Sequence, residues 1–174
     1  MFFSKIFSQA FMFYTTVTQW LQKQSNVIPA FILRLILAWE FGEAGFEKLH
    51  GTNWFADISF PFPFNLLPPT ISWNIALAFE IVGAIALLIG LATRFFSISL
   101  FILTIVAISA VHWPDHWSTF NELFTGYRII DEEGDGFGNY KLPLMYMVMF
   151  IPLIFGGAGK LSIDHWISNR FNKS

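Results

Sequence analysis

Glu40, Glu43 and Glu47 stand at i, i+3 and i+7, a spacing that lines carboxylates along one side of a helix. The stretch that holds them, about 26–49, is otherwise apolar and long enough to span a membrane. A fourth carboxylate, Glu80, lies inside a second apolar run at about 72–91. An ionisable group near the bilayer centre costs several kcal/mol unless it is paired or hydrated, so each of these is a functional candidate. The chemistry they suit is proton handling, with Glu80 and Glu40 as the exchanging pair and Glu43 and Glu47 leading to the outer water. Counted from the outer ends of their runs, Glu40 and Glu80 could share a level about 12–13 Å deep. Arg34 and Lys48 fall on a different face of the first run and, with Glu43 and Glu47, are candidate contacts for a ligand's polar head. At 100° per residue Arg34 is about 120° around from Glu40, so its expected partner is on another helix, and Glu80 is the natural candidate. Such an ion pair could equally fix helix packing and do nothing more, since removing either partner would strand a charge in both cases.

Other polar groups suggest different chemistry. His50, His112 and His116 could gather at one face as ligands for copper or zinc, and Met145 and Met149 share a helix face that would suit Cu(I) or simple packing. A haem is less well served, because only His112 falls on a membrane helix. Asp131, Glu133, Asp135 and Gly136 imitate the start of a calcium loop, but its twelfth position is Leu142 instead of a bidentate Glu. There is no Cys, which removes thiolate chemistry and cysteine-held clusters, so redox work would need a borrowed cofactor or partner. Ten basic against 12 acidic residues leave no cationic excess for nucleic acid.

The elements that must position these groups are helices in lipid. Only 13% of the 174 residues are charged, where a soluble domain carries about 25%, and the mean hydropathy is +0.55. This surplus of apolar side chains predicts an all-α membrane protein: an antiparallel bundle of four transmembrane helices at about 26–49, 72–91, 95–113 and 141–159. Ala92-Thr93-Arg94 makes the second and third antiparallel neighbours. Outer loops are expected at 50–71 and 114–140, the first broken by Phe60-Pro61-Phe62-Pro63-Phe64 and suited to the headgroup level. Residues 1–25 repeat Phe3, Phe7, Phe11, Tyr14, Val17 and Leu21 at a helical period with polar residues between, which predicts an amphipathic helix in the membrane plane in preference to a cleaved signal peptide. On the second helix Ala76, Glu80, Gly83, Leu87 and Gly90 share a side rich in small residues, so Glu80 should face the bundle. Leu37-Ala38-Trp39-Glu40-Phe41 and Leu77-Ala78-Phe79-Glu80-Ile81 give both glutamates the same setting, as an inverted repeat would and as chance among apolar letters could. Lys5, Lys23, Arg94, Lys160, Arg170 and Lys173 place both termini and the 160–174 tail in the cytoplasm.

Arg34, Gly45-Phe46-Glu47-Lys48-Leu49, Glu80-Ile81-Val82-Gly83 and Gly90-Leu91-Ala92-Thr93-Arg94 together resemble the DoxX family of small four-helix membrane proteins, over about 34–112. His112-Trp113-Pro114 and Gly134-Asp135-Gly136-Phe137-Gly138-Asn139 are similar to the branch encoded beside small metal-binding, peptide-modifying systems. The resemblance implies a bacterial inner-membrane protein whose founding relatives are subunits of thiosulfate or quinol oxidoreductases. The absence of Cys and of a soluble redox domain departs from a self-sufficient oxidoreductase. Three functions follow as expectations. The first is a redox-linked membrane subunit that binds a quinone or similar amphipathic ligand, with Arg34 on its polar head and Glu80 or Glu40 handling protons. The second is a transport or export accessory for a metal or modified peptide, using His112, His116 and the acidic loop. The third is a scaffold that docks membrane or periplasmic partner proteins through its aromatic loops.

Overall fold

The computed structural model describes residues 2–114, 117–125 and 138–171, with backbone alone at 2–6, 122 and 125. His116 and the acidic run 131–136, including the calcium-like loop, lie outside the described residues. The described residues are helical or irregular, with no strand among them. The helices are α1 (Phe2–Gln24), α2 (Ile28–His50), α3 (Pro69–Ile89), α4 (Thr93–Ala107), a short α5 (Phe120–Thr125), α6 (Lys141–Gly156) and α7 (Ile163–Phe171). α4 continues through a wider turn over Ile108–His112, and Pro114 follows soon after.

Local sequence explains most of these boundaries. Pro29 and Pro69 sit in the first turns of α2 and α3, where a missing N–H costs nothing. Gly90 ends α3 in the left-handed region, at φ 70°, with the Leu91 N–H donating to the Ala86 carbonyl at 2.9 Å and the Gly90 N–H to Leu87 at 3.2 Å, which satisfies the last carbonyls. α4 has no capping side chain of its own, because Ala92 and Thr93 follow that turn directly. Its first amides donate instead to Asp164 of α7, from Ala92 N at 2.7 Å and Thr93 N at 2.9 Å. Asp164→Ala is therefore expected to cost about 1–2 kcal/mol, seen as a lower thermal midpoint in detergent. An unchanged midpoint would mean that water replaces the carboxylate.

α2, α3, α4 and α6 close into a four-helix bundle, with the α2–α3 interface the most extensive. Its core is Leu37, Ala38 and Phe41 of α2, Ala84 and Leu87 of α3, Leu100 of α4, and Phe150 and Leu153 of α6. Gly45 sets the close approach of α2 and α3, since a Cβ there would meet Ile81 Cγ1 at 2.8 Å and the Ile81 amide nitrogen at 3.2 Å. α3 and the extended α4, Thr93–His112, are long and apolar enough to cross a membrane. α6 is apolar but has only 16 residues, and α2 has the length but carries Arg34, Glu40, Glu43, Glu47 and Lys48. The expectation of four membrane-length apolar helices is thus met by two, while four helices build the bundle.

The two ends of the bundle differ. At the loop end, residues 51–68 fold back so that Phe55 is buried against Trp73 and Ala76, with Ile58 and Phe60 beside them, while Phe62 and Leu66 stay exposed. Part of the aromatic segment is therefore a packed cover and not a free belt. At the turn end, the segment after α6 crosses the helix ends: Lys160 N donates to Asn26 O at 3.0 Å, Asp164 N to Gly90 O at 2.9 Å, and Arg34 Nη2 to Leu161 O.

Candidate functional site

Between α3 and α4, under the folded-back cover, is a cavity of about 470 Å³. Its walls are mainly apolar: the aromatic rings of Trp54, Phe55, Phe60 and Phe64 above, Phe79 and Leu103 to the sides. Lys48 and Glu80 line it as an ion pair, Nζ to Oε1 at 3.0 Å. Glu80 is 3% exposed and its second oxygen, Oε2, is buried without a hydrogen-bond partner among the described residues. Ser72 lines the same cavity, and its Oγ is likewise buried and unpartnered. Two turns of α3 separate Ser72 from Glu80, about 12 Å along the axis. His112 is also in the wall, with Nδ1 hydrogen-bonded to Asn139 Oδ1.

Helix register brings Lys48 and Glu80 together. Gly45 lies against Glu80 and Ile81, and Gly42 against Ala84, so Lys48, one turn beyond Gly45, can lean over Glu80. The same register separates Glu80 from Arg34, which lies at the turn end with its Nη1 close over Gly90. The expected Arg34–Glu80 pair is therefore not formed. Arg34, 1% exposed, instead donates to the Leu161 carbonyl, interacts electrostatically with Asp164 and sits 5.7 Å above the Phe31 ring. It is not among the cavity's lining residues, so it does not anchor a ligand head there.

The shared level of Glu40 and Glu80 is also corrected. α3 extends past the end of α2 at the loop end, so counting from each helix end misjudges their relative height. Glu40 is five residues, about 7.5 Å, from the Gly45 level that faces Glu80. Its partner is Tyr146 of α6, whose hydroxyl donates to Glu40 Oε2 on the α2–α6 seam. Glu43 and Glu47 are exposed on the outer side of α2 and do not line the cavity. The direct Glu80–Glu40 exchange pair is thus absent, and the two carboxylates belong to separate polar centres.

Among the described residues no group of three or more His, Asp or Glu is disposed to hold a metal ion. His50 is engaged with the Phe46 carbonyl and ring, and Met149 packs against the core while Met145 is exposed. Ser72 in the cavity wall, Tyr146 on Glu40 and Asp164 at the start of α4 are placements that sequence reasoning missed. For Ser72 a signal existed, because it stands on the Glu80 stripe at i−8, two turns away.

A helical bundle with two membrane-length helices and a polar pair at an apolar cavity defines the class: a small helical protein of membrane type with a partly open, ligand-sized cavity. The DoxX family model matches residues 30–113, and an uncharacterized protein of Haemophilus influenzae is 44% identical over 146 residues, 83% of this chain and 86% of that relative. The chain belongs to the DoxX family. No solved structure matches it.

Proposed function

We propose that this DoxX-family chain is an integral membrane protein that holds a quinone or similar amphipathic ligand in the α3–α4 cavity, as the redox-linked membrane subunit of a larger system. In this reading all four bundle helices span the bacterial inner membrane with both termini cytoplasmic, and α1, whose described side chains are nearly all exposed, lies in the membrane plane. The observation that carries the ligand reading is an apolar chamber with one unsatisfied carboxylate oxygen, Glu80 Oε2, beside a lysine. Ligand pockets are commonly about 300–1,000 Å³, apolar, with a few placed polar groups. An unpaired buried acceptor costs about 1–3 kcal/mol, which a donor from a ligand would recover.

The donor set fits a ring bearing oxygens. Lys48 Nζ can donate to a carbonyl oxygen, and Glu80 Oε2 can accept from a hydroxyl at the same station, so the pair serves either protonation state. Trp54, Phe60 and Phe64 supply ring faces for stacking. When bound, a quinone supplies two-electron, two-proton carriage that a chain without Cys lacks. The chain's share is to exclude water with the aromatic cover, hold the head with Lys48, and hold or release a proton at Glu80.

The test is a cofactor inventory followed by titration. Protein purified in mild detergent should carry extractable quinone, and added decylubiquinone should quench Trp54 and Trp73 fluorescence saturably. Ala107→Phe, which adds a ring to the cavity wall while leaving the ion pair intact, should weaken that binding at least tenfold, about 1.4 kcal/mol. A folded, colourless protein with no quinone and no saturable quenching would sink the ligand reading and favour the scaffold.

A further inference from the structure

A second, more open cavity of about 760 Å³ lies at the turn end, where the α1–α2 junction, the start of α4, the end of α6 and the segment 157–165 converge. Two cations reach it, Arg94 and Lys160. Both are exposed. Arg94 Nη2 donates to the Phe155 carbonyl at 3.2 Å, which leaves the guanidinium's other donors without a protein partner among the described residues. The guanidinium lies along Gly157, where a Cβ would come within 3.5 Å of Nη2 and 3.6 Å of Nε. The Lys160 side chain has no hydrogen bond or ion pair among the described residues; only its backbone N–H is engaged, by Asn26.

One acid faces the same cavity, Asp164, and it is already satisfied. Its two oxygens accept from Ala92 N and Thr93 N, and Arg34 behind it supplies an opposing charge. His165 also lines the cavity and contacts Asn169 through Nε2. The balance of the lining is therefore cationic. Thr93 adds a hydroxyl to the wall, fully buried and without a partner among the described residues. Ser25, Asn26 and Ser162 add polar groups to the wall, and Pro29, Pro152 and the exposed Phe95 ring form an apolar shelf beside the two cations.

From this arrangement we propose that the turn-end cavity binds a phosphate group, carried by an anionic phospholipid whose acyl chains rest against Phe95 and Pro152. Exposed guanidinium and ammonium groups on one rim suit a phosphodiester, with Arg94 offering several N–H donors in a plane and Lys160 a compact point charge. Basic pockets between helices at a membrane face hold anionic headgroups by this combination of charge and apolar shelf. The site is separate from the α3–α4 cavity and stands whether or not that cavity takes a quinone.

The test uses the full-length protein in mild detergent. Native mass spectrometry counts retained dioleoyl phosphatidylglycerol against dioleoyl phosphatidylcholine, and isothermal titration measures inorganic phosphate. The expected result is at least tenfold preference for phosphatidylglycerol, lost in Arg94→Gln/Lys160→Gln and in the single charge reversal Lys160→Glu. The exposed Lys160 side chain has no hydrogen bond or ion pair among the described residues, so the single variant is expected to keep the fold, which an unchanged thermal midpoint checks. Saturable phosphate binding lost in the same variants, without a lipid preference, would keep the phosphate site and assign it a soluble source. Equal retention of both lipids with no phosphate binding, or retention of phosphatidylglycerol that the variants leave unchanged, overturns the proposal.

Discussion

Lys48→Met is expected to destabilise the protein by about 3–5 kcal/mol, because it strands the Glu80 carboxylate in a site that is 3% exposed. Against a typical total stability of about 5–15 kcal/mol, that is a large share. The measurable outcome is poor accumulation in membranes and a markedly lower thermal midpoint in detergent. The double variant Lys48→Met/Glu80→Leu should recover most of the loss, since exchanging a whole buried pair for apolar residues is often neutral or stabilising. That recovery separates two roles of the same residues. A folded double variant that no longer binds decylubiquinone would assign the pair to the ligand, whereas one that binds as before would leave it a packing device. Equal stability of Lys48→Met and the parent protein would refute the structural importance of the pair.

Gly90→Ala should be nearly as damaging, for a different reason. Gly90 holds φ 70° and ψ 45°, a left-handed conformation that costs an L-residue about 1–2 kcal/mol. The added Cβ would also lie 1.8 Å from Arg34 Nη1 and 2.5 Å from Ser162 Cβ. Arg34 must then move and give up its bond to the Leu161 carbonyl, a charged hydrogen bond of about 1.5–3 kcal/mol. Together these amount to about 2.5–5 kcal/mol. Gly156→Ala is the control, because a Cβ there meets nothing within 4 Å. In an Arg34→Ala background the Gly90 substitution should cost less, keeping only its backbone share and the contact with Ser162 Cβ. A full cost in that background would show that the guanidinium is not what the methyl group displaces.

These two cases show where sequence reasoning reaches its limit. Gly90 is legible as the end of a helix, since it follows a long apolar run and precedes a short turn. Its contact with Arg34 is not legible, because nothing in either local stretch says which turns of α2 and α3 are level. Rotation about each helix follows from 100° per residue, so the inward face of Glu80 can be read from Ala76, Gly83 and Leu87. Relative height does not follow from rotation. It is set by how Gly42 and Gly45 seat against Ala84 and Ile81, and that seating gives Glu80 to Lys48 and Arg34 to the turn end.

The same limit governs the longer contacts. Tyr146 reaches Glu40 across 106 residues of sequence, and Asp164 caps α4 from 71 and 72 residues away. Each of these residues looks ordinary in its own neighbourhood. Tyr146 is one aromatic in an apolar helix, and Asp164 reads as an N-terminal acid of α7. The cavity is likewise invisible locally, since its walls join α3 and α4 to residues of the 51–68 segment folded back over them.

The sequence by itself determined that this chain is helical, that its composition is too apolar for water alone, that apolar helices alternate with loops, and that it belongs with the DoxX family. Those properties depend on composition, on the 3.6-residue period and on short motifs, all of which act within a few turns of chain. Tertiary structure decided which charges pair, which carboxylate keeps an unsatisfied oxygen, and where open space remains between helices. These depend on the register of close-packed surfaces, where a shift of one turn, about 5.4 Å, exchanges every partner.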